Sequence, residues 1–126
     1  PGGAPGIETR PALMYTHGVR AGGLSAERWV EVCCTDPARR FGLAPRKGTL
    51  EVGADADVVL FDPERSVTLS AETLHQNVDY CPFEGWQVRG YPVVVLSRGE
   101  VIVRDGAFVG TAGRGEFVRT LPLAAH

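Results

Sequence analysis

Apolar positions along this chain follow two different rhythms, and the change comes near residue 46. Upstream the spacing is helical. Ile7 to Thr16 carries Leu13, Met14 and Tyr15, with Pro11 in the first turn, where a missing N–H costs nothing, and Gly18 as the expected terminator. A second helix is expected to open at Ser25, whose hydroxyl can accept a free first-turn N–H. Leu24 before that cap and Trp29 four positions after it have the spacing of a hydrophobic staple. Trp29, Val32 and Cys33 then share one face, with Glu27, Arg28 and Glu31 mostly elsewhere. Asp36-Pro37 predicts a fresh helix start, an acidic cap followed by proline, and Gly42 closes that short segment as a left-handed residue.

From Lys47 onward the pattern becomes that of a sheet or sandwich. Gly48, Gly53, Gly85, Gly90, Gly99, Gly106 and Gly110 punctuate short apolar runs: Val58 to Phe61, Trp86 to Val88, Val93 to Leu96 and Val101 to Val103. Arg98-Gly99 and Asp105-Gly106 have the composition of two-residue hairpin turns, so residues 92–109 are predicted to form a meander. Ser70-Ala71-Glu72 can cap one helical turn. The rest of the link to Gly85 mixes aromatics with turn formers and is expected to be packed rather than loose.

Composition narrows the partners. The 44% hydrophobic and 22% charged content over 126 residues is that of a globular domain or a piece of one. With 13 basic against 15 acidic residues, no basic face is available for nucleic acid or an anionic membrane, and neither is expected as a partner. The longest apolar runs, such as Val93 to Leu96, are far too short for a membrane-spanning helix. The 3 cysteines, Cys33, Cys34 and Cys81, form no C-x-x-C, and free thiols in a reducing cytoplasm are the expectation. The chain opens at Pro1 rather than a methionine, in the loop-like run Pro1-Gly2-Gly3-Ala4-Pro5-Gly6, and is read as a piece whose upstream part is missing.

Candidate chemistry is sparse. His17, His75 and His126 stand in no H-x-H or H-E-x-x-H pattern, and His17 is expected only to complement a helix C-terminus. Ser25 is spent on a cap, and Ser70 and Ser97 have no base or elbow motif beside them. Cys33 and Cys34 are expected as one buried and one partly exposed helix residue. The stretch Gly53-Ala54-Asp55-Ala56-Asp57-Val58-Val59-Leu60-Phe61-Asp62-Pro63 sets aspartates at alternating positions, as a metal site would. A calcium loop, however, needs a continuing run of oxygen ligands, and Val58 to Phe61 supplies none. Asp57 is therefore read as capping a strand start, and Asp62-Pro63 as the turn at its end.

Taken together, the motifs resemble a known family. Lys47-Gly48-Thr49 with Val52-Gly53-Ala54-Asp55-Ala56-Asp57-Val58-Val59 is similar to the C-terminal signature of amidohydrolase-superfamily enzymes, and Asp36-Pro37-Ala38 with Phe41-Gly42-Leu43 to the helix before it. Those two alone leave dihydroorotases, allantoinases and other relatives open. Val78-Asp79-Tyr80, Phe83-Glu84-Gly85-Trp86, Gly90-Tyr91-Pro92-Val93 and Leu96-Ser97-Arg98-Gly99-Glu100 resemble dihydropyrimidinases and D-hydantoinases in particular. So do Pro5-Gly6-Ile7-Glu8 near the start and Gly113-Arg114-Gly115 near the end.

The resemblance implies an α/β parent enzyme, a (β/α)8 barrel plus a β-sandwich. Residues 1–46 would be the last helices around the barrel, and residues 47–126 the C-terminal strands of the sandwich and a tail. It also implies two divalent ions, usually zinc, bridged by a carboxylated lysine, which hydrolyse the ring amide of a hydantoin or dihydropyrimidine in a cytoplasmic homo-oligomer. All of that family's metal ligands lie upstream of the position matching Pro1, so the resemblance gives this segment no metal site and no catalytic residue. Only Gly2 matches a substrate-contacting place, in a loop that often reads P-N-G in bacterial hydantoinases, where main-chain groups bond the substrate ring. The alternative is a non-catalytic relative that kept the fold as an assembly protein. On either reading the segment is inert by itself and exposes a sheet edge and an apolar helix face.

Overall fold

A computed structural model of the chain describes residues 3–121. The helical part begins with α1 (Arg10–Met14), which runs directly into a π-helical turn at Tyr15–Val19. Next comes α2 (Ala26–Val30), a second π turn at Glu31–Thr35 and α3 (Asp36–Arg40), one after another without a break. Four strands follow, β1 (Val58–Thr68), β2 (Gln87–Ser97), β3 (Glu100–Arg104) and β4 (Ala107–Phe108), in one antiparallel sheet of order β1-β2-β3-β4.

The local signals behave as chemistry dictates. Ser25 caps α2, its Oγ accepting the Arg28 N–H at 3.1 Å. Both hairpins turn on the expected pairs: Ser97 faces Glu100 across Arg98-Gly99, and Arg104 faces Ala107 across Asp105-Gly106. All four turn residues have positive φ, the condition of the turn that matches strand twist. The link after β1 is packed: Leu74 and Cys81 are buried, and Ser70 opens one helical turn by accepting the Thr73 N–H at 3.1 Å.

Three expectations fail, each for a packing reason. Gly18 does not end the first helix; it lies inside the π turn, where a Cβ would come within 2.8 Å of the Leu24 side chain, and the chain turns at Gly22, with φ +79°. Asp36 does not start a new helix, since Thr35 and Asp36 both keep helical dihedrals. The π turn ahead of Pro37 sends the Asp36 N–H back five residues to the Glu31 carbonyl, and this wider turn gives the proline ring room that an α turn denies it. Nor does Asp62-Pro63 end β1. Register shifts between Asp62 and Ser66, so Pro63 occupies a bulge that asks nothing of its missing N–H. There Asp62 Oδ1 accepts the Glu64 N–H at 2.9 Å and closes the bulge.

Helices and sheet share one core. Ala12 of α1 packs with Leu69, Leu74, Cys81 and Val88, flanked by Leu13, Val67, Phe83 and Tyr91. Beside it, Phe61 meets Tyr15 and Trp29 edge to face and those two rings are tilted against each other, all with centroids 4.8 to 5.2 Å apart. Gly90 of β2, with φ +104°, lies beneath those rings, and a Cβ there would overlap Tyr15 and Phe61. Much apolar surface stays outside this core: Ile7 is 89% exposed, Leu50 78%, Val52 108% and Phe117 89%. Among the described residues β1 pairs only with β2, leaving its outer edge open.

Candidate functional site

The opening loop is the part of the site that the described residues build most fully. Thr9 is wholly buried, and its hydroxyl donates to the Gly6 carbonyl at 3.3 Å, while its own carbonyl accepts the Leu13 N–H at 3.0 Å. Those bonds fold residues 6–9 onto the start of α1. Glu8 reaches across 67 positions to the turn after β1: its Oε2 accepts the His75 N–H at 2.8 Å, and its Oε1 lies 2.7 Å from His75 Nδ1. An ionised carboxylate only accepts, so Nδ1 carries the proton. The Glu8 charge also bears on Tyr91, whose phenol is pushed up first by burial and then by that charge.

The opening loop also borders an open groove of about 680 Å³. Ala4, Pro5 and Gly6 of the opening loop, Leu13 and Met14 of α1, and Phe83 and Trp86 ahead of β2 line it. Phe83 stacks edge to face on Trp86 at 5.4 Å, and His17 meets the same indole at 5.7 Å. Arg10 and His17 bring the titratable groups of the lining, and its one hydroxyl, that of the buried Thr9, is spent on the Gly6 carbonyl. Such a surface can hold an apolar body and exclude water; it cannot cleave a bond by itself. Gly2, the expected main-chain contact to substrate, lies outside the described residues.

The aspartates of the Gly53–Pro63 stretch hold one another's partners rather than a ligand. Lys47 Nζ sits 2.8 Å from Asp55 Oδ2 and 2.5 Å from Asp57 Oδ2, and Arg46 Nε lies 2.9 Å from Asp55. Asp57 Oδ1 also accepts the Arg98 N–H at 2.8 Å, and Ala56 the Gly99 N–H at 2.9 Å, which pins the β2–β3 turn to the start of β1. The hydrogen bond from Lys47 holds the Asp55 carboxyl below its ordinary range. Burial opposes the charge on Asp57, yet Lys47 and the Arg98 N–H outweigh it and lower that carboxyl too. Burial likewise opposes Lys47, and its two aspartates outweigh it and raise the ammonium. Asp57 thus caps the strand start as expected; the lysine it shares with Asp55 was not foreseen, although it stands only eight and ten positions upstream.

Among the described residues no three His, Cys, Asp or Glu side chains come together as a metal site. The three cysteines are free. Cys34 is exposed and Cys33 half-buried, so neither is the buried helix residue expected of the pair. Burial pushes both thiols up, against the pull of Arg10, which leaves them poor nucleophiles at neutral pH. No helix of the described residues is long and apolar enough to cross a membrane.

Known proteins resemble this arrangement closely. The model of the amidohydrolase family matches residues 6–102. The chain is 50% identical over 125 residues to a D-hydantoinase of Geobacillus stearothermophilus, covering 99% of this chain and 26% of that protein. A solved D-hydantoinase (dihydropyrimidinase) from Thermus sp. superposes with a TM-score of 0.92 at 50% identity, over 98% of this chain and 27% of that one. A dihydropyrimidinase from Brevibacillus agri does so with a TM-score of 0.87 at 47% identity, over 92% and 25%. The chain thus spans about a quarter of the length of the relatives it matches.

Proposed function

Since this chain belongs to the amidohydrolase family, we propose that it is the C-terminal part of a cyclic amidohydrolase that opens the ring amide of hydantoins or dihydropyrimidines. The observation that carries this reading is the 50% identity to a D-hydantoinase across 99% of the chain. On this reading residues 1–46 close a (β/α)8 barrel, and residues 47–126 supply strands to a neighbouring sandwich. The open edge of β1 and the bare Leu50 and Val52 are consistent with a segment that packs against more chain.

Two divalent ions, zinc by family habit, would activate water in such an enzyme. The described residues of this segment do not fit that role, because they bring no ligand set together. On this reading the metal would be held by the barrel, upstream of this segment. What the segment contributes is position: a fixed opening loop, an apolar wall and an anchored sandwich edge. The cytoplasm and a homo-oligomeric assembly complete the proposal.

The test is to express the full-length protein and follow ring opening of dihydrouracil and 5-substituted hydantoins. The expected result is hydrolysis that a chelator abolishes and zinc restores, with the 126-residue chain alone inactive. A full-length protein that opens neither ring refutes the enzyme reading and favours the non-catalytic assembly protein.

A further inference from the structure

Residues 110–121 form neither helix nor strand, yet they are tied to two other parts of the chain. They leave β4 lying against β3: the Val109 N–H donates to the Ile102 carbonyl at 2.9 Å, and a Cβ on Gly110 would press on Ile102. Four residues on, two arginines clasp across the β2–β3 turn. Arg98 Nη2 donates to the Arg114 carbonyl, and Arg114 Nη2 donates to the Ser97 carbonyl at 2.7 Å. Each guanidinium also faces a carboxylate: Arg114 Nε lies 2.9 Å from Glu100 Oε2, and Arg98 Nη1 3.5 Å from Glu116 Oε2. The turn beneath is itself fixed, since the Arg98 and Gly99 N–H groups donate to Asp57 and Ala56. Beyond the clasp the chain runs to the end of α3, where the Leu121 N–H donates to the Gly42 carbonyl at 2.7 Å. Gly42 has φ +65°, and a Cβ there would run into the Leu121 carbonyl. Among the described residues that is the one hydrogen bond made by residues 117–121, and Phe117 and Leu121 stay exposed.

We propose that residues 110–121 are a strap with one fixed and one releasable end: the Arg98–Arg114 clasp is its rivet, and the Gly42–Leu121 pair is a latch that opens while the rivet and the fold stay intact. The strap does not depend on the ring-opening activity proposed above. Its two ends differ in what release breaks. Freeing the rivet breaks four contacts, each made by a charged guanidinium that is mostly covered, and such bonds are stronger than neutral ones. Freeing the latch breaks one neutral bond whose groups then meet water, which is worth about tenfold in an opening equilibrium. Segments with little burial and exposed hydrogen bonds open first. Latched, the strap joins the helical part to the sheet; unlatched, it is held by the sheet alone.

Limited trypsin proteolysis of the full-length protein under native conditions reads both ends. Trypsin must take the arginine side chain into its pocket; the clasp holds Arg114, whereas Arg119 is exposed on the latch side. Initial cleavage after Arg119 is expected to be about tenfold or more faster than after Arg114. Arg98→Ala removes the bond to the Arg114 carbonyl while its backbone N–H stays on Asp57, and is expected to speed cleavage after Arg114 about tenfold. Gly42→Ala displaces Leu121 and is expected to speed cleavage after Arg119 about tenfold, with cleavage after Arg114 within about twofold of wild type. Equal initial rates at the two arginines in wild type, or no cleavage after Arg119 before global unfolding, overturn the latch. Unchanged cleavage after Arg114 in Arg98→Ala overturns the rivet. The wild-type comparison needs neither variant to fold.

Discussion

Replacing Gly90 by alanine tests whether helix and sheet meet as tightly as described. Gly90 is buried in β2 with φ +104°, and a Cβ there would overlap the Tyr15 ring and lie 2.9 Å from Phe61 Cε1. Two costs add. Holding an alanine at that dihedral costs about 1–3 kcal/mol, and forcing a methyl group into a filled contact costs about 1–3 kcal/mol more. The sum, about 2–6 kcal/mol, corresponds to local opening at least about thirtyfold easier, since about 1.4 kcal/mol is a factor of ten. Native-state hydrogen exchange of peptides covering residues 58–68 and 87–97, in the full-length protein, reads that opening directly. Tyr15→Leu in the Gly90→Ala background separates the two costs. It relieves the overlap and not the dihedral, so the double variant is expected to recover about 1 kcal/mol or more relative to additivity. Exchange quickened less than about threefold by Gly90→Ala, or strict additivity with Tyr15→Leu, refutes the reasoning.

Other outcomes follow from the same contacts. Lys47→Met removes the cation shared by Asp55 and Asp57 and is expected to lower the thermal midpoint at pH 7. Both carboxyls are depressed in the fold, so their contribution is complete above the unfolded value of about 4 and fades as pH falls through the lower folded values. The raised Lys47 contributes fully below about 10.5 and fades as pH rises beyond it, so the gap between wild type and Lys47→Met closes at both extremes in pH-dependent melts. Leu69→Ala empties a fully buried core position and is expected to cost about 2–5 kcal/mol in denaturant titration of the full-length protein. The 126-residue chain alone, with Leu50, Val52 and Phe117 exposed, is expected to self-associate in sedimentation. A monodisperse monomer with a sharp cooperative melt contradicts that.

What the sequence alone determined is whatever depends on residues within one turn of each other. Ser25 caps α2 because a hydroxyl and a free N–H three residues on need no other partner. Arg98-Gly99 and Asp105-Gly106 make hairpins because their own dihedrals suffice. The family could be read as well, since its motifs are contiguous and span most of the chain. Tertiary structure decided the rest, because packing can outweigh a local preference worth only about 1 kcal/mol. Pro37 reads as a helix start, yet it lies in an unbroken helix that docks Trp29 against Phe61. Pro63 reads as a strand end, yet β1 gains more by bulging past it and pairing Ser66 to Thr68 with β2. Glu8 and His75 meet across 67 positions, and no rule of spacing joins them. Position 90 has no room for a Cβ in the middle of a strand because a tyrosine 75 residues earlier fills that space.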